Sequence, residues 1–157
     1  MTRLNILVGP PANRNDDEGF VEAFLSSDGY HIVCGGSSAM MVARCLGLEI
    51  DLPLYGNFDE NTLPWGMIGN DIYVTEGIVT LRNVADAFMS GTVPTSETGE
   101  FLVYDKLIEC NEVNIFWGCA VNSRHPSEID FSKKEEIISY LINKLHTLDK
   151  KVNLYKR

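Results

Sequence analysis

Residues 31–47 read HIVCGGSSAMMVARCLG. A short apolar run comes first, a Gly-Gly pair turns the chain, and a second apolar run with helical spacing extends to Gly47. Glycine permits the tight turn. Ser37 and Ser38 can cap the helix that follows, and Gly47 suits a left-handed helix end. The pattern predicts a strand, a tight turn and a buried helix.

The same alternation of strand and helix recurs on both sides of this stretch. Strand-like apolar runs lie at residues 4–8, 72–75, 113–117 and 152–155, and apolar residues at helical spacing lie between them. Such alternation predicts a three-layer α/β fold of the Rossmann or flavodoxin type, with a mostly parallel sheet and helices on both faces. Residues 55–70 are rich in Gly, Asn, Asp and Pro and are expected to form an irregular connection.

Length and composition fit a single α/β domain over residues 1–157, because domains usually have this size and 45% hydrophobic residues can fill a core. The net charge of −9 argues against nucleic acid or an anionic membrane as a partner, since both require a basic surface. Four cysteines without a Cys-x-x-Cys pair, and no apolar run long enough to cross a bilayer, predict a cytoplasmic protein with free thiols. We expect neither a metal site nor a cofactor.

In an open parallel sheet, ligands bind beside the loops that leave the carboxyl ends of the strands. The turn Gly35-Gly36-Ser37-Ser38 is the sharpest candidate. Its glycines let a ligand approach the backbone, and the following helix presents unpaired N–H groups and the positive end of its dipole. Phosphate or carboxylate is favoured in such a place. The alternative is that the glycines make a tight turn and Ser37 is an ordinary helix cap.

The loop Thr75-Glu76-Gly77 is a second candidate. Glu76 could accept a hydrogen bond from a ligand hydroxyl, or act as an acid or base. The alternative is a carboxylate that simply favours the start of the next helix. Arg14 in the first loop could reach a ligand or be merely solvated.

Asn122, Arg124 and His125 follow the most strand-like run of the chain. Together they could hold an anion, with His125 as a titratable group. The alternative is that Asn122 makes a turn and His125 is exposed. Hydrolase constellations are missing from the sequence, which has no Gly-x-Ser-x-Gly elbow and no His-x-x-x-His pair. No residue is therefore predicted to be catalytic.

Residues 31–47 resemble a segment in the C-terminal region of bacterial stage II sporulation protein E-like serine/threonine phosphatases, where a VCGGTTAxxVARxLG pattern recurs. Further blocks match in the same order, at residues 9–11 (GPP), 70–81 (NDIYVTEGIVTL) and 118–122 (GCAVN), followed by His125. The resemblance spans nearly the whole chain. Serines stand where the family has its paired threonines, which keeps the hydroxyls and removes two methyl groups.

In that family the region follows the metal-dependent phosphatase domain and is distinct from it. The resemblance therefore implies a non-catalytic accessory domain that acts with a phosphatase domain, in cis or in trans. We expect it to bind a small anionic or polar ligand. The predicted ligand-binding residues are Gly35, Gly36, Ser37, Ser38, Thr75, Glu76, Gly77, Asn122, His125 and Arg14.

Two other functions stay open at this point. The Gly-Gly-Ser-Ser turn beside Glu76 distantly resembles sugar-phosphate isomerases and sugar-sensing effector domains, and in such an enzyme Glu76 would be the general base. The chain could also be a structural domain that forms a homodimer and binds no ligand.

Overall fold

The computed structural model describes residues 2–51, 65–96, 98–120 and 127–157, with the side chains of Trp65 and residues 127–133 excepted. The described strands are β1 (Arg3–Val8), β2 (Tyr30–Cys34), β3 (Ile50–Asp51), β4 (Trp65–Ile68), β5 (Ile72–Thr75), β6 (Glu112–Trp117) and β7 (Lys151–Lys156). The described helices are α1 (Asp17–Ser26), α2 (Gly36–Leu46), α3 (Ile78–Ser90), α4 (Gly99–Glu109) and α5 (Ser127–Thr147).

One sheet contains these strands in the order β3-β4-β5-β2-β1-β6-β7. The strands β5, β2, β1, β6 and β7 are parallel to one another. Numbered along the chain, these five follow the order 3-2-1-4-5 of a doubly wound sheet. The predicted mostly parallel α/β fold is confirmed.

Helices cover both faces of the sheet and enclose two apolar clusters. The helices α1 and α2 pack on one face, where Phe24 and Val42 contact a cluster that includes Leu7 and Phe116. The helices α3, α4 and α5 pack on the other face, where the cluster is centred on residues such as Val113. Successive residues of β1 alternate between the two clusters, as the two-residue period of a strand requires.

The connection predicted for residues 55–70 is partly wrong. Its last part forms β4, which pairs antiparallel with β5 so that Ile68 lies opposite Ile72. Gly69 adopts a φ of +64°, which lets the chain reverse between these two strands. Ile68 is fully buried, and this burial favours a strand over an irregular loop. Residues 52–64 lie outside the described part.

Three asparagines form a row across β1, β6 and β7. Asn5, Asn114 and Asn153 are in register on these parallel strands. Asn114 Nδ2 donates to Asn5 Oδ1 over 2.9 Å, and Asn153 Nδ2 donates to Asn114 Oδ1 over 2.8 Å. Asn5 Nδ2 donates in turn to main-chain carbonyls that include those of Asp28 and Tyr30. The buried amides are thereby satisfied inside the sheet.

Candidate ligand site at the carboxyl edge of the sheet

The amino terminus of α2 lies at the carboxyl end of β2. Gly35 precedes the helix with φ +116° and ψ 144°, a conformation that is essentially restricted to glycine. Its N–H donates to Thr75 O over 2.9 Å, which joins this turn to the end of β5. No side chain in the described ranges caps the helix. Gly36 and Ser37 are exposed, so the N–H groups of the first turn face solvent and can bind an anion.

The two serines of the turn have different surroundings. Ser38 is buried, and its hydroxyl oxygen accepts a hydrogen bond from Gly9 N over 2.8 Å. This bond fixes the loop after β1 against the start of α2. Ser37 is exposed and has no such restraint. Of the two hydroxyls, that of Ser37 is therefore the more accessible to a ligand.

The loop after β5 touches the turn after β2. A Cβ placed on Gly35 would lie 3.7 Å from Gly77 Cα, and a Cβ placed on Gly77 would lie 3.2 Å from Gly35 Cα. Thr75 is buried, and its hydroxyl donates to Glu76 O over 3.2 Å. It also bonds the Cys34 thiol, whose pKa burial raises to about 11. The hydroxyl of Thr75 is thus engaged mainly in hydrogen bonds within the protein.

Glu76 extends from this loop toward solvent. Partial desolvation of its carboxyl raises its pKa, the negative charge of Glu100 raises it further, and Arg82 opposes both effects. A carboxyl with a raised pKa at a strand end suits either a hydrogen bond to a ligand hydroxyl or proton transfer.

Two buried polar atoms near this loop have no hydrogen-bond partner among the described residues. One is Thr80 Oγ1 in the first turn of α3, and the other is Glu100 Oε2 in the first turn of α4. The other carboxyl oxygen of Glu100 accepts from Asn83 Nδ2 over 2.9 Å, which links the two helices. Buried polar groups are normally paired. The two atoms behind Glu76 are therefore exceptions to this rule.

A second part of the edge lies where β1 and β6 end. Gly9, with φ +81°, follows β1, and Gly118 follows β6. A Cβ on Gly118 would collide with the carbonyl oxygens of Gly9 and Pro10. Backbone hydrogen bonds hold the two loops together, from Gly118 N to Val8 O over 2.9 Å and from Ala120 N to Pro10 O over 3.0 Å. Backbone contacts therefore join the loops that follow these two strands.

Lys134 of α5 reaches the same place. Its Nζ donates to Gly118 O over 3.1 Å and to Val8 O over 3.4 Å, and it lies 5.7 Å from the ring centroid of Trp117. Burial lowers the pKa of Lys134 to about 8, against the opposing effects of the Cys119 and Cys34 thiols. Sequence patterns do not identify this residue, because it lies in the polar segment SKKEE, which is typical of an exposed helix face.

Most of the predicted site residues come together. Seven of them lie in two touching loops at one edge of the sheet, namely Gly35, Gly36, Ser37, Ser38, Thr75, Glu76 and Gly77. Arg14 lies in a short 3-10 turn before α1, where it is exposed, and no contact described for it reaches these loops. Asn122, Arg124 and His125 lie outside the described residues.

A separate groove of about 260 Å³ lies over β6 and β7 on the α1 face. Tyr155 stacks on Phe116 in its floor, with 4.8 Å between the ring centroids. The predicted ligand residues do not line it.

No family model, no curated protein and no solved structure matches the chain. Within the described ranges, no cluster of His, Cys, Asp and Glu could hold a metal ion. None of the described helices is long and apolar enough to cross a membrane.

Proposed function

We propose that this chain is a non-catalytic regulatory domain that acts with a stage II sporulation protein E-like serine/threonine phosphatase. It binds a small anionic or polar ligand at the carboxyl edge of the sheet. The observation that supports the proposal is the exposed first turn of α2, which opens on Gly36 and adjoins Gly77. Both the backbone N–H groups and the helix dipole favour an anion there.

A ligand of this kind can regulate a phosphatase only by preferring one of its conformations. Two loops that belong to different strands meet at Gly35 and Gly77, so a ligand in contact with both favours the arrangement that brings them together. The phosphatase domain that senses this arrangement can lie in the same polypeptide or in a partner.

Ligand binding is tested by a thermal-shift screen with sugar phosphates, nucleotides and carboxylates. A ligand at 100 times its Kd stabilises the folded state by about 2.7 kcal/mol. Gly36→Asp places a carboxylate at the first position of α2, which suits the helix dipole but competes with the ligand. We expect this variant to keep its stability and lose the shift.

Gly36→Ala is the matched control, because among the described residues a Cβ at Gly36 meets nothing within 4 Å beyond its chain neighbours and its own helix. It should retain the shift. A screen without any hit, or equal shifts in Gly36→Asp and the unaltered protein, would contradict the proposed ligand site.

The regulatory role needs a separate measurement. The activity of a phosphatase domain of that family, fused to or mixed with this chain, should change when the ligand is added. Gly36→Asp should abolish the change and leave the basal activity as it was. An activity that does not respond to a ligand with demonstrated binding would contradict regulation while leaving binding intact.

The raised pKa of Glu76 favours a second candidate, a sugar-phosphate isomerase in which this carboxyl is the general base. In that case the protein turns over a phosphosugar, and Glu76→Gln abolishes turnover but retains binding. A panel of phosphosugars that bind without turnover would exclude this candidate.

A further inference from the structure

The ammonium group of Lys134 has an incomplete set of partners. It can donate three hydrogen bonds, and the described part of the chain supplies two acceptors, the carbonyl oxygens of Val8 and Gly118. The described ion pairs do not include this lysine. A partly buried charge without a counter-charge is unfavourable, so an anion brought by a ligand would complete the site.

A second ammonium group lies against the same indole ring. Lys156 Nζ of β7 is 4.7 Å from the ring centroid of Trp117, and Lys134 Nζ is 5.7 Å from the same centroid. Neither lysine forms a described ion pair with a carboxylate. In a protein whose net charge is −9, this is a local concentration of positive charge. Two ammonium groups favour a doubly charged anion over a singly charged one.

The position in the fold also favours a ligand. In a doubly wound sheet, ligands bind at the carboxyl ends of the two strands where the order reverses. Here those strands are β1 and β6, because the chain proceeds from β1 to β2 on one side and reaches β6 on the other. The carbonyl groups of Val8 and Gly118 hold Lys134 at that point.

We propose that Lys134 and Lys156 together bind the phosphate group of a small phosphomonoester at the carboxyl ends of β1 and β6. It goes beyond the proposed function, because it adds a second anion site at another part of the same edge. Gly9 connects the two parts of the edge, since its N–H bonds Ser38 at the start of α2 and its Cα faces Lys134 Nζ.

The protonation of Lys134 predicts how binding depends on pH. Its pKa of about 8 is set by burial, with the Cys34 and Cys119 thiols as the titratable groups that oppose the shift. Lys156 is the other charged group on the Trp117 ring. A phosphomonoester is fully ionised above about pH 7. Phosphate affinity should therefore fall as the pH rises through about 8, because the lysine loses its proton.

Fluorescence of Trp117 provides the test. The chain has two tryptophans, so Trp65→Phe leaves Trp117 as the sole reporter. This protein is titrated with methyl phosphate, and with acetate for comparison, between about pH 7 and pH 9. We expect saturable binding of methyl phosphate that is stronger than that of acetate and weakens at the higher pH.

Lys134→Met should weaken methyl phosphate binding about tenfold and remove its pH dependence, and Lys134→Arg should restore affinity without the decline near pH 8. Lys156→Met should weaken binding several-fold. Lys151→Met is the matched control, since Lys151 carries the same charge at the opposite end of β7. It should bind methyl phosphate as the unaltered protein does.

Three results would overturn the proposal. They are unchanged binding in Lys134→Met, an equal loss in Lys151→Met, or no saturation by methyl phosphate at any pH. The proposed function is distinguished by Gly36→Asp. If Gly36→Asp loses a ligand that Lys134→Met still binds, the turn after β2 binds that ligand without Lys134. If the thermal-shift screen finds no ligand at all, the proposed function fails as well. Circular dichroism of each variant excludes unfolding as the cause of a loss, and the pH profile of the unaltered protein tests Lys134 without substitution.

Discussion

The two ends of the carboxyl edge use glycines in opposite ways. Between β1 and β6, Gly9 and Gly118 interlock, and backbone hydrogen bonds leave no room for a side chain at Gly118. Between β2 and β5, Gly35 and Gly77 also touch, but the chain then opens on Gly36, which is exposed and uncrowded. Between β1 and β6, glycine lets two backbone loops pack together. Between β2 and β5, it gives a ligand access to the backbone. Substitutions of these glycines and of the residues around them distinguish the two uses.

The largest effect is expected for Gly118→Ala. Its Cβ would collide with main-chain oxygens of Gly9 and Pro10, which cannot move without breaking the bonds between the two loops. We expect a loss of about 3 kcal/mol or more in the free energy of unfolding, measured by chemical denaturation. Gly36→Ala is the control and should stay within about 0.5 kcal/mol of the unaltered protein. Equal unfolding free energies for the two variants would show that close packing at Gly118 does not hold the two loops together.

Gly35→Ala should have the next largest effect. The cost comes from backbone conformation, because φ is +116° at this position and a Cβ would find only Ser38 Oγ, at 3.4 Å, and Gly77 Cα, at 3.7 Å. An L-residue in this region costs about 1–3 kcal/mol. Thermal and urea unfolding should both report the loss. A neutral result would mean that the turn after β2 can relax into another conformation.

Ser38→Ala tests the bond that joins the two ends. It removes the acceptor of the Gly9 N–H in a partly buried place. Loss of such a bond costs about 1–2 kcal/mol. Ser37→Ala, at an exposed position, is the control and should change the unfolding free energy little. If both variants are equally stable, the bond to Gly9 contributes nothing.

The smallest effect is expected for Thr80→Val. The buried hydroxyl of Thr80 has no partner in the described part of the chain, so its replacement by a methyl group of similar size removes an unsatisfied group. Stability should be unchanged or higher by about 0.5 kcal/mol. Asn83→Leu is a useful contrast, since it breaks the bond to Glu100 and should destabilise. A clear loss in Thr80→Val would show that the hydroxyl has a partner in solution.

Local patterns in the sequence predict the fold and half of the candidate site. The run at residues 31–47 contains a strand, a turn and a helix start within a few neighbouring positions, and the structure has all three. Lys134 could not be predicted in this way. It contacts Val8, 126 positions away, and its surroundings exist only after α5 has packed on the sheet.

The same limit explains the interlock at Gly118 and the pairing of β4 with β5. In the sequence, Gly118 resembles any glycine at a strand end. A side chain is excluded at this position only because Gly9 and Pro10 pack against it in the folded protein. The segment before Ile68 resembles a loop by composition. Its strand exists because the edge of β5 supplies hydrogen-bond partners.

The asparagine row determines how the last strand aligns. Few side chains of β7 are buried, so burial of apolar surface distinguishes poorly between neighbouring alignments of this strand. A shift by one position would turn Asn153 to the opposite side of the sheet and leave the Asn114 carbonyl without its donor. Each buried amide group that loses its hydrogen-bond partner lowers the free energy of unfolding by about 1–3 kcal/mol. Polar side chains inside the sheet thus select one pairing where apolar ones cannot, and Lys156 reaches Trp117 only in that pairing.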